Sequence, residues 1–245
     1  MRIALLSDIH GNLIALESVL AELAKESPNQ IVCLGDIVEG GPQPHAVLER
    51  LQRLGCPIVM GNTDVRMSTA RLDEPRTPNL PPSYAMELWC VDQLTSAERA
   101  FIQTFPLTIA IPLDHEMSLL AFHGSPHANT DLLFATTPEP DLPILLGDSH
   151  ATILAGGHTH VQLVRRYRDM LIVNPGSVGL PFEQPVPSGP IRRPAWAEYA
   201  MINVRQGRVS IDLLRTPIPI EALFESVAKS GMPYPERWTH DWTCP

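Results

Sequence analysis

The sequence predicts an α/β fold. In the first 60 residues, three apolar runs of strand type alternate with two segments of helical periodicity, which is the pattern of a parallel sheet. Of the 25 prolines, 21 lie at or after residue 75, so an all-helical fold is excluded and we expect a remainder rich in loops and strands. With 245 residues, 44% of them hydrophobic, we expect residues 1–245 to form a single domain.

The first third of the chain is predicted to run β-α-β-α-β. Its elements are expected at residues 2–7, 13–23, 31–34, 47–54 and 57–60. Asn12 is a suitable N-cap for the first helix, and Gly55 is expected to end the second. The three strands are followed directly by Asp8, Asp36 and Asn62. Because active groups gather at the carboxyl ends of strands in such sheets, these three side chains are candidates for one site.

The remainder is predicted to contain more strands. The segment 66–83 is polar and proline-studded and is expected to be a surface excursion, and 126–150 is expected to be loop-like around an apolar piece at 142–146. The other elements are helices at 84–94, 96–105 and 220–230, strands at 107–113, 117–122 and 151–155, and strand pairs 162–167 with 171–173 and 199–204 with 209–214. His123 follows one of these strands, and His158 and His160 follow another. We expect Trp238 and Trp242, near the C-terminus, to pack on the domain.

Five strand ends thus carry side chains that bind metals through oxygen or nitrogen. The candidate ligands are Asp8, His10, Asp36, Asn62, His123, His158 and His160. Imidazole with carboxylate oxygen suits Mn, Fe, Co, Ni or Zn, and the lack of CxxC spacing argues against a structural cysteine site. Seven ligands are too many for one ion that keeps an open position, so the set predicts two divalent transition-metal ions that share a carboxylate.

Taken in order, the motifs resemble the calcineurin-like metallophosphoesterase superfamily. They are Asp8-Ile9-His10, Gly35-Asp36, Gly61-Asn62-x-Asp64, His123 and Gly157-His158-Thr159-His160. The segments 8–16, 33–44 and 174–179 are similar to its compact bacterial branch, which includes small phosphodiesterases and relatives of dinucleoside polyphosphate hydrolases. The resemblance implies a sandwich of two mixed β-sheets flanked by helices, in αββα layers.

The resemblance also implies roles for individual residues. It assigns Asp8, His10, Asp36 and His160 to a first ion, and Asp36, Asn62, His123 and His158 to a second, with Asp36 bridging. The implied reaction is hydrolysis of a phosphodiester or dinucleoside polyphosphate by in-line attack of a metal-bridging hydroxide, which makes the chain a metal-dependent phosphoric ester hydrolase.

Several further residues have both a structural and a functional interpretation. Asp36 and Asp64 are the candidate catalytic residues, although Asp64 could instead cap a helix or orient a neighbouring group. Asn12, Asn174 and Ser177 are candidates for orienting the ligands or contacting substrate. Asn12 is equally a helix cap, and the segment containing Asn174 and Ser177 is equally an ordinary turn.

Thr63 departs from the superfamily pattern, which has histidine at this place to protonate the leaving oxygen. Threonine is not a general acid near neutral pH, and such an acid contributes roughly 10²–10⁴ in rate. We therefore expect a preference for esters whose leaving group departs as an anion. His45 and His127 are conceivable replacement acids, and their spacing does not choose between them.

Charge and composition limit the classes of partner that the protein could bind. The net charge of −9 argues against binding of long nucleic acid, and no apolar stretch reaches the ~18 residues of a membrane span. We expect a cytoplasmic protein that binds a small phosphoester or nucleotide, and a homo-oligomer is compatible with the sequence. The alternatives are a phosphoprotein phosphatase of the same superfamily and a metal-binding scaffold of the same fold that catalyses nothing.

Overall fold

The computed structural model describes residues 1–69, 80–183 and 192–243, and over these residues two mixed β-sheets pack between helices. This confirms the predicted sandwich. The helices are α1 (Leu13–Glu26), α2 (Pro44–Leu54), α3 (Asn62–Thr69), α4 (Pro82–Asp92), α5 (Ser96–Ile102), α6 (Leu142–Leu146), α7 (Ile220–Ser230) and α8 (Pro235–His240). The strands are β1 (Arg2–Leu6), β2 (Gln30–Cys33), β3 (Ile109–Pro112), β4 (Ser118–Ala121), β5 (Ile153–Ala155), β6 (Leu163–Tyr167), β7 (Met170–Asn174), β8 (Arg193–Pro194), β9 (Trp196–Arg205), β10 (Arg208–Pro217) and β11 (Trp242–Thr243).

The first sheet has the strand order β10-β9-β1-β2. Strand β1 pairs in parallel with β2 and antiparallel with β9, so it lies inside the sheet. Because Leu6 is paired with Cys33, the segments that leave the two strands run side by side. The amide of Asp8 donates to the carbonyl of Gly35 at 3.0 Å, and the amide of His10 donates to that of Asp36 at 3.0 Å. The strand register therefore places Asp8 and Asp36 together.

The second sheet has the strand order β3-β4-β5-β7-β6. Its three inner strands, β4, β5 and β7, are parallel to one another, so their carboxyl ends meet at one edge. The amide of Gly157 donates to the carbonyl of His123 at 2.8 Å, which joins the loop after β5 to the loop after β4. This edge thus carries His123, His158 and His160.

Alternation along β1 shows how the layers are held together. Ile3 and Leu5 point into an apolar core between the two sheets, whereas Ala4 and Leu6 point into a second core beneath the helices. All four side chains are 0% exposed, so both faces of the strand are buried. A third core covers the outer face of the second sheet, where Leu154 packs with α6. Burial on both faces fixes the register, because a slip of one residue would exchange the two faces.

Several expected elements differ in the structure. The predicted strand 57–60 is reduced to a single bridge between Cys33 and Ile58, because the amide of Met60 donates to Pro106 rather than continuing the sheet. Residues 66–69 of the expected excursion belong to α3, and its residues 70–79 lie outside the described part of the chain. The apolar piece at 142–146 is the short helix α6.

None of the helices in the described ranges combines the length and the apolar character that a membrane crossing requires.

Candidate metal centre

A first group of candidate ligands forms where β1 and β5 end. The Oδ1 atom of Asp8 lies 3.2 Å from Nε2 of His160 and 3.8 Å from Nε2 of His10, and the two Nε2 atoms are 3.1 Å apart. Ligands at about 2.1 Å from a tetrahedral ion are about 3.4 Å from one another, so these separations suit one shared ion. Within the described residues, Asp8 Oδ1 is buried without a hydrogen-bond partner. A buried carboxylate oxygen of this kind is suited to binding a cation.

A second group forms where β2 and β4 end. Its acidic and imidazole members are Asp36, His123 and His158, whose potential ligand atoms lie within 4.8 Å of one another. The Nε2 atom of His123 is 3.4 Å from Asp36 Oδ1 and 3.0 Å from Oδ1 of Asn62. An amide oxygen, a carboxylate and two imidazoles therefore converge here. This is again a donor set that fits a divalent transition metal.

Asp36 joins the two groups. Its Oδ1 atom faces His123, as described, and its Oδ2 atom is 3.7 Å from Nε2 of His10 in the first group. The side chain is 3% exposed and is held by a hydrogen bond of 2.9 Å from the amide of Thr63 to Oδ1. One carboxylate thus presents a separate oxygen to each group, as the predicted bridge requires.

Backbone carbonyls orient three of the four histidines. The Nδ1 atom of His10 lies 2.6 Å from the carbonyl of Glu39, that of His123 lies 2.6 Å from the carbonyl of Leu34, and that of His160 lies 2.7 Å from the carbonyl of Leu180. A carbonyl accepts only, so each Nδ1 carries the hydrogen and donates it. In a neutral imidazole, Nε2 then presents its lone pair to the site, which is the tautomer that a metal ligand needs.

The candidate ligands sit on strained backbone. Five of the seven have positive φ, between 48° and 66°. They are Asp8, His10, Asp36, His158 and His160. Left-handed conformations cost residues other than glycine roughly 1–2 kcal/mol each, and such strain clusters at functional sites. Because all five lie at the ends of buried strands, the fold supplies the packing that holds them there.

Asn12, Asn174 and Ser177 hold the ligand loops together. Asn12 caps α1 by accepting from the amide of Ala15 at 3.0 Å, and its amide group donates to the carbonyl of Gly179 at 2.9 Å. The hydroxyl of Ser177 donates to the carbonyl of Asp8 at 2.8 Å.

Asn174 does the same for the loop after β5. Its side-chain amide donates to the carbonyl of Gly157 at 2.6 Å and to the hydroxyl of Thr159 at 3.0 Å. All three side chains are buried and support the backbone around the ligands.

Asp64 is buried beneath Asp36 and accepts three backbone hydrogen bonds. Its Oδ2 atom accepts from the amides of Asp36 at 2.8 Å and Gly61 at 3.0 Å, and its Oδ1 atom accepts from Ile37 at 3.0 Å. A side chain at Gly61 would not fit, because its Cβ would lie 2.2 Å from Asp36 Oδ1. The contacts of Asp64 therefore position the loop that carries Asp36.

Burial and neighbouring charge shift the pKa values of the ligands in opposite directions. Burial by itself would raise the pKa of Asp36, but the charge and hydrogen bond of His123 lower it well below its usual range. Burial opposes protonation of His123, yet the charge of Asp36 raises its pKa to about 10. Burial and the positive charge of His160 lower the pKa of His10 to about 4, so His10 is neutral near pH 7. Burial and the charge of Asp36 raise the pKa of Asp64 to about 7.

Comparison with known proteins gives the family of this chain. A family model described as the calcineurin-like phosphoesterase superfamily domain matches residues 1–191. The chain belongs to the calcineurin-like phosphoesterase superfamily. This superfamily is metal-dependent, and the two groups described above are this member's candidate metal sites.

Individual relatives are similar to the chain over most of its length. It is 28% identical to the phosphodiesterase YfcE of Escherichia coli K12 over 193 residues, covering 74% of this chain and 81% of YfcE. It is 26% identical to an uncharacterised protein of Methanocaldococcus jannaschii over 250 residues, covering 94% and 93% of the two chains. The crystal structure of a metallophosphoesterase from Sphaerobacter thermophilus superposes with a TM-score of 0.74 at 25% identity, covering 98% of this chain and 97% of the other.

Sequence reasoning did not find the carbonyls of Leu34, Glu39 and Leu180, because any residue supplies a carbonyl and the choice depends on tertiary folding.

The two candidate replacement acids, His45 and His127, have other neighbours. His45 lies 2.6 Å from Glu98, and the exposed His127 packs against Gly147. Within the described residues, neither forms a hydrogen bond or ion pair with a candidate ligand.

Proposed function

We propose that this calcineurin-like phosphoesterase uses two divalent transition-metal ions to hydrolyse a phosphodiester or a dinucleoside polyphosphate. The observation that carries the proposal is the placement of Asp36, whose two carboxylate oxygens face two separate groups of ligands. The phosphodiesterase activity named for YfcE supports the diester class.

Bound ions at this centre would supply an activated water for in-line attack and neutralise charge on the phosphoryl oxygens. Asp8, His10, Asp36 and His160 would hold one ion, and Asp36, Asn62, His123 and His158 the other. The chain's own residues fix the geometry. The carbonyls behind His10, His123 and His160 set the histidine tautomers, and the hydrogen bond from Thr63 fixes the orientation of the shared carboxylate.

Thr63 sets the class of ester that the site accepts. The residue is 5% exposed, and its hydroxyl oxygen makes no hydrogen bond within the described residues. An alcohol of this kind does not protonate a leaving alkoxide near neutral pH. Good substrates are therefore those whose leaving oxygen is already a weak base, such as aryl esters, diesters of acidic alcohols and polyphosphates.

A substrate panel tests the proposal. The protein is purified, supplied with Mn²⁺ or Co²⁺, and assayed on bis(4-nitrophenyl) phosphate, 4-nitrophenyl phosphate, diadenosine tetraphosphate and an alkyl monoester. We expect the diester and the polyphosphate to have the highest kcat/KM. A preference for the alkyl monoester would contradict the inference from Thr63.

A scaffold of the same fold predicts a different result. A metal-binding scaffold would take up metal on reconstitution and still hydrolyse none of the four compounds. Metal content measured on the same samples shows that such a negative result does not come from an unloaded centre.

A further inference from the structure

A cavity of about 310 Å³ lies beside the first group of candidate ligands and is walled on one side by α8 and the segment before it. Residues from five separate parts of the chain line it, among them Gly40, Leu180, Arg193, Tyr234, Arg237 and Trp238. Binding pockets for small ligands begin at about 300 Å³, so the cavity has room for one nucleoside-sized group.

The cavity lies behind the first group of candidate ligands, on the Nδ1 side of the His10 ring. A Cβ atom on Gly40 would lie 3.4 Å from Nδ1 of His10 and 3.4 Å from a side-chain carbon of Leu180. Leu180 also supplies the carbonyl that orients His160. Because Nε2, on the opposite edge of the imidazole ring, faces the metal site, a nucleoside would reach the cavity from the reacting phosphorus through further phosphates, as in a dinucleoside polyphosphate.

The cavity combines flat aromatic side chains with positive charge. Trp238 is 7% exposed and is fixed by a hydrogen bond of 2.6 Å from its indole nitrogen to the carbonyl of Gly40. The guanidinium of Arg193 lies 5.8 Å from the Trp238 ring centroid. Tyr234 is 47% exposed and is held at φ 54°, a conformation uncommon for tyrosine. Aromatic faces stack with any nucleobase, and arginine pairs with phosphate.

The charges at the cavity leave one cation available to a ligand. Glu39 lines the cavity but pairs with Arg66 at 2.6 Å, and Asp241 interacts electrostatically with Arg193. Arg237 is exposed on α8, and no hydrogen bond or ion pair joins it to another residue of the described ranges. Its guanidinium is thus free to bind an anion.

The wall formed by α8 lies beyond residues 1–191, which the family model matches. The family's shared part carries the seven candidate ligands, and the following segment adds this wall. We infer that the cavity is the specificity site for the nucleoside part of the ester, with Tyr234 stacking on the base and Arg237 pairing with a phosphate. This inference rests on the proposed function, since it places the reacting phosphorus at the metal centre.

Equilibrium binding tests the inference without requiring turnover. AMP and ribose 5-phosphate are titrated calorimetrically into the Mn²⁺-supplemented protein. Both carry the same phosphate, so the ratio of their dissociation constants reports the base alone. We expect AMP to bind at least about tenfold more tightly, which corresponds to about 1.4 kcal/mol and lies within the range for base stacking.

Two variants locate the effect. Tyr234→Gly removes the ring and suits the positive φ, so it should reduce the AMP preference to within about twofold of unity. Arg237→Ala places a good helix former at an exposed position and should weaken the binding of both compounds. Arg208→Ala, an exposed arginine that begins β10, is the matched control and should change neither affinity.

Equal binding of AMP and ribose 5-phosphate by the wild type would overturn the inference, as would an unchanged preference in Tyr234→Gly. Failure of the proposed function shows itself separately, because a protein that hydrolyses no ester could still discriminate between AMP and ribose 5-phosphate.

Discussion

Replacing Asp36 with asparagine should remove metal from one group and leave it in the other. The change preserves shape but leaves one oxygen where there were two. The amide of Thr63 donates to Oδ1, so an NH₂ group placed there would leave two buried donors facing each other. That arrangement costs about 1–3 kcal/mol, a factor of roughly 5 to 150. The remaining oxygen therefore stays beside Thr63 and His123, and the NH₂ group faces His10.

The first group, Asp8 with His10 and His160, thus loses its shared ligand. Loss of a supporting hydrogen bond already costs about 10–100-fold in metal affinity, and loss of a direct ligand should cost at least as much. After dialysis, elemental analysis should find two ions per wild-type chain and one per Asp36→Asn chain. Hydrolysis of bis(4-nitrophenyl) phosphate should fall by at least about 10²-fold, since half of the charge that stabilises the phosphoryl oxygens is lost.

Two double variants identify the ion that remains. Adding His160→Ala, in the first group, should leave the single ion in place, whereas adding His158→Ala, in the second, should remove it. The reasoning is refuted if Asp36→Asn keeps two ions, or if His160→Ala rather than His158→Ala removes the last one.

Three further predictions follow from the centre. Thr63→His should raise kcat/KM for alkyl esters by about 10²-fold or more, with little gain for aryl esters. Matched pairs of alkyl and aryl esters measure this difference, and an equal gain for both would refute the leaving-group argument. Because the folded-state pKa of His123 is about 10, metal binding at pH 7 should release at least one proton, measured by calorimetry in buffers of different ionisation enthalpy, and affinity should increase as pH rises toward 10. Ser177→Ala leaves the amide of Leu180 without its acceptor and should destabilise the protein by about 1–3 kcal/mol in urea unfolding, whereas the control Ser226→Ala, on α7, should stay within about 0.5 kcal/mol.

The raised pKa of His123 also contributes to the pH dependence of stability in the metal-free protein. Its folded value of about 10 exceeds the ordinary value of 6.5. The stabilisation that His123 provides is therefore fully present below pH 6.5 and is lost as the pH rises toward 10. Urea unfolding of chelator-treated protein across this range should show the loss, and added Mn²⁺ should reverse it.

Local signals predicted the ends of several helices, whereas α3, α6 and α8 were not predicted. Asn12 caps α1, Gly55 ends α2 in a left-handed conformation, and Thr95 with Glu98 forms the expected capping box of α5. Each of these depends on hydrogen bonds between residues at most four apart, so a short stretch of sequence contains the relevant chemistry. The predicted hairpins β6–β7 and β9–β10 are confirmed for the same reason.

Pairing between distant strands could not be predicted in this way. Strand β9 lies beside β1 although nearly 200 residues separate them, and the residues of neither strand specify that neighbour. The predicted strand 57–60 is only a single bridge at Ile58. The amide of Met60 instead donates to the carbonyl of Pro106, which lies in a distant part of the sequence.

The residue types of the centre were visible in the sequence, but its conformation was not. The strand pattern predicted that Asp8 and Asp36 follow strand ends, and the structure places the two side chains close together there. Their left-handed backbone is uncommon in residues other than glycine, although aspartate and histidine adopt it more readily than most, so propensity alone does not predict it. The strain is maintained by tertiary contacts such as the hydrogen bond from Ser177 to the carbonyl of Asp8.

The hydrogen bond between Trp238 and Gly40 spans 198 residues, which has a consequence for biosynthesis. At about 5–20 residues per second, a ribosome adds Trp238 roughly 10 to 40 seconds after Gly40. When Gly40 is added, the nascent chain already contains Asp8 and Asp36. His160, then β9, and then Trp238, which braces the loop behind His10, are added one after another during that interval. The metal centre is therefore assembled from chain segments that are synthesised at widely separated times, and its final shape arises only after Trp238 has been added.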